Sequence, residues 1–315
     1  MKETRKGIVI KSTGSWYTVL SDNGVISDCK FKGKFKISNI RNTNPIAVGD
    51  HVSLYYDEEN KIGLIFKIED RKNYIIRRST NLSKETQIIA SNIDVAFLII
   101  TVSSPPLKPG FVDRFLASAE AYRIPVELIF NKIDIYSKKD IESMNNLISI
   151  YEKIGYKCHS ISAKDHNSTD KIKDLIKDKT CVFAGNSGVG KSTLANAIEP
   201  GLNLKTSEIS DYHNKGKHTT TFAQMFKISN GGFLIDTPGI KGFGVFDMHK
   251  EEISHFFPEI FKASELCKYN NCMHTNEPGC NVMIAVKEGE ISEMRYINYL
   301  RILGDENEKH RLKDY

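Results

Sequence analysis

Over the first 72 residues the apolar positions fall in short runs: 7–12 (GIVIKS), 15–21 (SWYTVLS), 51–56 (HVSLYY) and 61–68 (KIGLIFKI). Gly, Asn and Asp punctuate them, as in SDNG and AVGDHV. Short strands between turn signals, with no long helical period, predict a small β barrel or sandwich. From residue 92 the pattern changes. Residues 94–102 (DVAFLIITV) form an unbroken apolar run, as in a strand buried on both faces. Helical spacing follows at 111–122, a strand at 126–130, an amphipathic helix at 138–153 and a strand at 156–161. A helix at 171–178, a strand at 180–184, a short helix at 193–198 and a strand at 232–235 continue the alternation. Strands alternating with helices predict a mostly parallel sheet covered on both faces. Beyond residue 247 the strand signal fades, and 255–264, 282–286 and 291–303 read as helices. The pattern thus predicts three domains, at 1–72, 73–246 and 247–315.

Two loops of the alternating region carry chemistry. Gly185-Asn186-Ser187-Gly188-Val189-Gly190-Lys191-Ser192 fits G-x-x-x-x-G-K-S, between an apolar strand and a helix opening at Thr193. Such a loop turns backbone N–H groups onto phosphate oxygens, and the helix adds its positive end. Lys191 would reach the β- and γ-phosphates and the Ser192 hydroxyl would ligate Mg²⁺. Asp236, in Asp236-Thr237-Pro238-Gly239 after an apolar run, is placed to hold Mg²⁺, with the Gly239 N–H near the γ-phosphate. Asn131-Lys132-Ile133-Asp134 follows another buried strand. A carboxylate at Asp134 can accept from N1–H and the 2-amino group of guanine, a pair of donors that adenine does not present. Ser162-Ala163-Lys164 fits the companion motif whose backbone N–H addresses the guanine O6. The expected ligand is therefore GTP or GDP with Mg²⁺. In the polar stretch 202–222, ending KGKHTTT, a threonine can bring its hydroxyl to Mg²⁺ and its backbone to the γ-phosphate. Thr220 is favoured, with Thr219 as the alternative. A glutamine after the D-T-P-G segment would orient the attacking water, but Ile240 stands there.

The order is unusual, because the base-reading motifs precede the phosphate loop. A GTPase whose motifs run in this order is circularly permuted, which site residues on strand-end loops tolerate. The segment after the D-T-P-G turn then leads toward the C-terminal domain, so nucleotide state is expected to be transmitted there. Cys267-x₄-Cys272-x-His274-x₅-Cys280 gathers three thiols and an imidazole within fourteen residues, a ligand set suited to one structural Zn²⁺ in a closed tetrahedral site. The permuted order, the N-terminal β domain, the Cys/His cluster and Lys215-Gly216-Lys217-His218-Thr219-Thr220-Thr221 together resemble the RsgA (YjeQ/YloQ) family of small-ribosomal-subunit-dependent GTPases. The resemblance implies an OB-fold barrel, a permuted GTPase core and a zinc-bearing C-terminal domain. It implies GTP hydrolysis stimulated by the small subunit late in that subunit's maturation. It also points to His218 as the group that positions water, alongside Lys191 and Thr220.

Composition adjusts this picture little. The 315 residues carry a net charge of +5, which permits nucleic-acid binding without requiring it. Thirteen Lys/Arg against nine Asp/Glu over residues 1–72, with lysines alternating with aromatics at 30–36, suit rRNA contact or merely a solvated strand face. Trp16, Tyr17, Phe31 and Phe35 are expected in a small barrel core rather than on bases. No run approaches a membrane span, and the N-terminus does not read as a secretory signal. The expectation is a cytoplasmic chain, monomeric off the ribosome, with neither membrane nor DNA as partner. The competing reading is an RNA-binding assembly factor in which the nucleotide is only a regulatory switch. A membrane-linked signalling GTPase is disfavoured by the missing lipidation motifs.

Overall fold

The computed structural model describes residues 2–31, 45–78, 86–204, 223–236 and 249–304. Five strands, β1 (Lys2–Ser12), β2 (Tyr17–Ser21), β3 (Ile26–Phe31), β4 (His51–Asp57) and β5 (Ile62–Ile68), close into a barrel. Its order is β1-β2-β3-β5-β4, and β4 pairs back onto β1. Alternating positions fill it: Val9, Tyr17, Val19, Cys29, Val52, Leu54 and Ile65 are buried together. Tyr17 and Phe31 pack there as expected, whereas Trp16 is exposed with the Lys30 ammonium 4.5 Å over its ring. Phe35 and most of the lysine-aromatic segment lie outside the described residues.

A hairpin of β6 (Tyr74–Arg78) and β7 (Thr86–Ser91) follows, then the alternating unit. Its elements are β8 (Val95–Ile100), α1 (Pro109–Ala121), β9 (Val126–Phe130), α2 (Lys138–Ile154), β10 (Lys157–Ser160), α3 (His166–Leu175), β11 (Thr180–Ala184), α4 (Lys191–Ile198), β12 (Gln224–Lys227) and β13 (Phe233–Asp236). The strands lie in the order β10-β9-β8-β11-β13-β12, all parallel except β12. Residues two apart on a strand face the same way, and β8 shows it. Ala96, Leu98 and Ile100 pack with α1 and α2 residues such as Phe115 and Tyr151, while Val95, Phe97 and Ile99 pack with Ile172 of α3 and Leu194 of α4. The unbroken apolar run at 94–102 is therefore a strand with a core on each side.

The sheet does not stop at β12. It pairs antiparallel with β1 at Gln224 and Lys11, so eleven strands run from the parallel unit into the barrel. A second joint is the fully buried Asp50, whose carboxylate accepts from Arg71 Nε at 2.6 Å, the Ala47 N–H at 2.8 Å and Ser91 Oγ at 2.6 Å.

The C-terminal segment is helical, with one correction. Residues 255–264 read as a single helix but form a 3-10 helix (Lys250–Phe256) and then α5 (Pro258–Ser264). Pro258 disfavours helical geometry at Phe257, which sits at φ −120°, and starts a new helix itself. α6 (Asn281–Lys287) and α7 (Glu293–Gly304) complete the segment. It docks on α1 through a buried network. Arg295 donates from Nη1 to Asp113 Oδ1 at 2.8 Å and from Nε to Glu259 Oε1 at 2.7 Å. Asn298 and Tyr151 donate to the same Asp113 carboxylate at 2.6 and 3.0 Å. Among the described residues, no helix is long and apolar enough to cross a membrane.

Candidate functional site

β8, β9, β10, β11 and β13 run parallel, so their carboxyl ends share one edge of the sheet, the usual place for a ligand in this architecture. Three of the sequence motifs sit there, together with Asp236, the first residue of a fourth. After β11 the chain turns through Gly185 at φ 137°, Gly188 at φ 82° and Gly190 at φ 97°, all in the positive region open to glycine. At Gly185 a Cβ would lie 2.1 Å from the Ile99 carbonyl oxygen, and at Gly190 2.4 Å from Asn131 Nδ2. Gly185 and Gly190 are thus demanded by both backbone direction and contact, and Gly188 by backbone direction alone. The turn delivers Lys191, Ser192 and Thr193 into the first turn of α4. Lys191 reaches back over the loop and donates to the carbonyls of Gly185 at 2.8 Å and Asn186 at 2.6 Å.

Asn131, at the end of β9, ties the loops together. Its Nδ2 donates to the Val189 carbonyl at 2.8 Å, and its Oδ1 accepts the Ala163 N–H at 2.9 Å. One buried amide therefore joins the glycine-rich loop, the N-K-I-D segment and the S-A-K segment. Lys132 turns left-handed at φ 68° and donates to the Ser104 carbonyl at 2.8 Å. Partial burial lowers its ammonium below the ordinary value, against the opposing pull of Asp134. Asp134 is exposed, and its Oδ1 accepts from Ser162 Oγ at 2.7 Å. Ser162 Oγ in turn accepts the Lys164 N–H at 3.3 Å. Asp236 ends β13, one strand from the glycine-rich loop. Burial raises its carboxyl, with the Lys191 ammonium opposing.

The structure adds residues that sequence reasoning missed. Residues 101–108, between β8 and α1, bring Ser104 to Lys132 and Pro105 to within 3.6 Å of where a Gly188 Cβ would stand. Tyr136 bridges this loop to Asn131. Neither has a motif, because the hydrogen bonds go to backbone groups. His218, Thr219, Thr220 and Gly239 lie outside the described residues. So does the segment after the D-T-P-G turn, on which the expected transmission of nucleotide state rests.

A second cluster lies in the C-terminal segment. Cys267, Cys272, His274 and Cys280 each bring a donor atom within 4.8 Å of the others. His274 Nδ1 lies 3.7 Å from Cys267 Sγ and 3.5 Å from Cys280 Sγ. Bonds of about 2.3 Å to sulfur and about 2.0–2.1 Å to nitrogen at a tetrahedral angle give an S···N edge of about 3.6 Å, so the donor set fits tetrahedral Zn²⁺. Burial pushes the Cys272 thiol up to about 12 and raises Cys280 as well. The loop is held by Glu277, which accepts the N–H groups of Met273 and Thr275 at 2.8 Å and of Asn276 at 3.0 Å. Burial would raise this carboxyl, but those N–H groups outweigh it and hold it at about 2. Tyr296 and Tyr299 of α7 donate to the carbonyls of His274 and Met273 at 2.6 and 2.9 Å.

The family profile described as RsgA GTPase matches residues 68–246. The Small ribosomal subunit biogenesis GTPase RsgA of Bacteroides fragilis is 55% identical over 303 residues, covering 96% of this chain and 97% of its own. The chain belongs to the RsgA GTPase family. The profile described as RsgA N-terminal domain matches residues 6–65, which fall on the barrel. The RsgA of Christiangramia forsetii is 52% identical, covering 98% of this chain and 99% of its own. Among solved structures, YjeQ from Thermotoga maritima matches with a TM-score of 0.79 at 33% identity, over 96% of this chain and 98% of that one. YloQ, described as a circularly permuted GTPase, matches with a TM-score of 0.75 at 30% identity, over 96% and 94%. Membership of RsgA makes the chain a GTPase and implies a guanine nucleotide as its ligand.

Proposed function

We propose that this chain hydrolyses GTP to GDP and phosphate, and that it couples hydrolysis to late maturation of the small ribosomal subunit. The observation that carries the nucleotide reading is the buried Asn131 amide, which joins the glycine-rich loop to the two base-reading segments. In this reading Gly185–Ser192 and Thr193 cradle the phosphates, with Lys191 exchanging its two carbonyl partners for phosphate oxygens. Asn131, Lys132, Asp134, Ser162, Ala163 and Lys164 surround guanine. Ser192, Asp236 and Thr220 (or Thr219) hold Mg²⁺, which neutralises charge on the phosphates. Gly239 contacts the γ-phosphate, and His218 positions the attacking water. Cys267, Cys272, His274 and Cys280 hold Zn²⁺ as a structural ion.

The division at 1–72, 73–246 and 247–315 assigns rRNA contact to the barrel, turnover to the middle and a zinc-stabilised platform to the C-terminal segment. The chain acts in the cytoplasm, monomeric off the ribosome, and needs neither DNA nor membrane. The relatives' name supplies the small subunit as target.

Asp134→Asn tests the base reading directly. An amide donates where a carboxylate accepts, so the variant should lose GTP affinity on the order of a hundredfold and gain affinity for xanthosine triphosphate. Calorimetric titration reads both, and unchanged GTP affinity would remove Asp134 from base recognition.

A further inference from the structure

Tyr136 lies two residues past Asp134, flanking the 3-10 turn Ile133–Ile135. Its ring is half-buried and packs against the core shared by β8, α1 and α2. Its hydroxyl reaches two backbone groups from different loops. It accepts the Val102 N–H at 2.8 Å and donates to the Asn131 carbonyl at 2.7 Å. Burial raises the phenol above its ordinary value.

That carbonyl belongs to the peptide joining Asn131 to Lys132. Lys132 is left-handed at φ 68°, a conformation that a residue with a side chain holds only where its surroundings fix it. The turn it makes lets the Ile133 N–H bond the Ile161 carbonyl at 3.2 Å and brings Asp134 to Ser162 at 2.7 Å. Rotating the Asn131–Lys132 peptide would carry Asp134 out of register. The other partner, Val102, opens the loop whose Ser104 carbonyl takes the Lys132 ammonium. A single hydroxyl thus holds the peptide before the left-handed turn and the loop that receives the next side chain.

We propose that Tyr136 is a positioning residue for guanine recognition, orienting the Asn131–Lys132 peptide so that the Asp134 carboxylate meets the base. This rests on Asp134 being the guanine reader. Guanine offers a 2-amino group and hypoxanthine lacks it while keeping N1–H, so comparing GDP with IDP isolates the 2-amino part of what Asp134 reads.

The test is Tyr136→Phe in the full chain, which keeps the ring and removes the hydroxyl, with GDP and IDP affinities measured by calorimetry. GDP affinity should fall about tenfold, the scale of one net hydrogen bond, and the GDP:IDP ratio should fall severalfold. A lowered melting temperature with an unchanged GDP:IDP ratio would overturn the proposal, since a purely structural tyrosine behaves that way. Asp134→Asn measured alongside separates the two failures. If it abolishes the GDP preference while Tyr136→Phe keeps it, the positioning role alone falls. If it too keeps the preference, the guanine reading falls and takes the proposal with it.

Discussion

At the scale of single residues, Glu277 shows how a side chain outside the Cys/His cluster can shape it. Its carboxylate gathers three N–H groups of one loop and so fixes the backbone around His274, itself left-handed at φ 57°. Elemental analysis should find one zinc per chain, and Glu277→Gln should lose it to a competing chelator at about tenfold lower chelator concentration, the low end of what outer-shell partners contribute. Equal retention in both proteins would show that the loop holds its shape without the charge. The carboxyl is held below its unfolded value, so its support is complete above about pH 4.3 and fades as pH falls toward about 2. That Cys267, Cys272, His274 and Cys280 gather in one place was legible in the sequence, because they crowd within fourteen residues. Glu277 and Tyr136 were not, because they answer backbone groups that every residue type carries.

At the scale of elements, periodicity located the buried strands and long helices, and local chemistry decided their ends. α3 begins at His166 rather than 171 because Asp165 caps it, accepting the Ser168 N–H at 3.0 Å across a polar stretch without apolar period. The β6–β7 hairpin escaped notice because its strands mix apolar with charged and polar residues and no short turn signal joins them. The α1–α7 joint was equally invisible: Asp113 and Arg295 are 182 residues apart. Both side chains are fully buried. Arg295→Met should leave Asp113 and Glu259 without their cation and cost about 3–5 kcal/mol, as when one partner of a buried pair is removed. Denaturant unfolding followed by probes in the C-terminal segment should register it. A midpoint unchanged from wild type would mean that Asn298 and Tyr151 suffice for Asp113.

At the scale of the molecule, the permuted order does not separate the loops of the candidate site. The base-reading loops precede the phosphate loop in the chain yet meet it at one sheet edge through Asn131. The same sheet continues through β12 into the barrel, and the C-terminal segment is fastened to α1. The alternating unit is therefore joined to the barrel and to the C-terminal segment by direct contacts rather than by a linker alone. The family makes the chain a GTPase, and its relatives are named for small ribosomal subunit biogenesis.

The measurement that tests this most directly is steady-state GTP hydrolysis by the full chain, alone and with purified small subunits, large subunits or bare rRNA. Unassisted turnover should be slow, on the order of 10⁻⁴–10⁻² s⁻¹ as for other phosphate-loop GTPases, and small subunits alone should raise it by at least an order of magnitude. Equal rates with every addition, or stimulation by large subunits in place of small ones, would contradict the account.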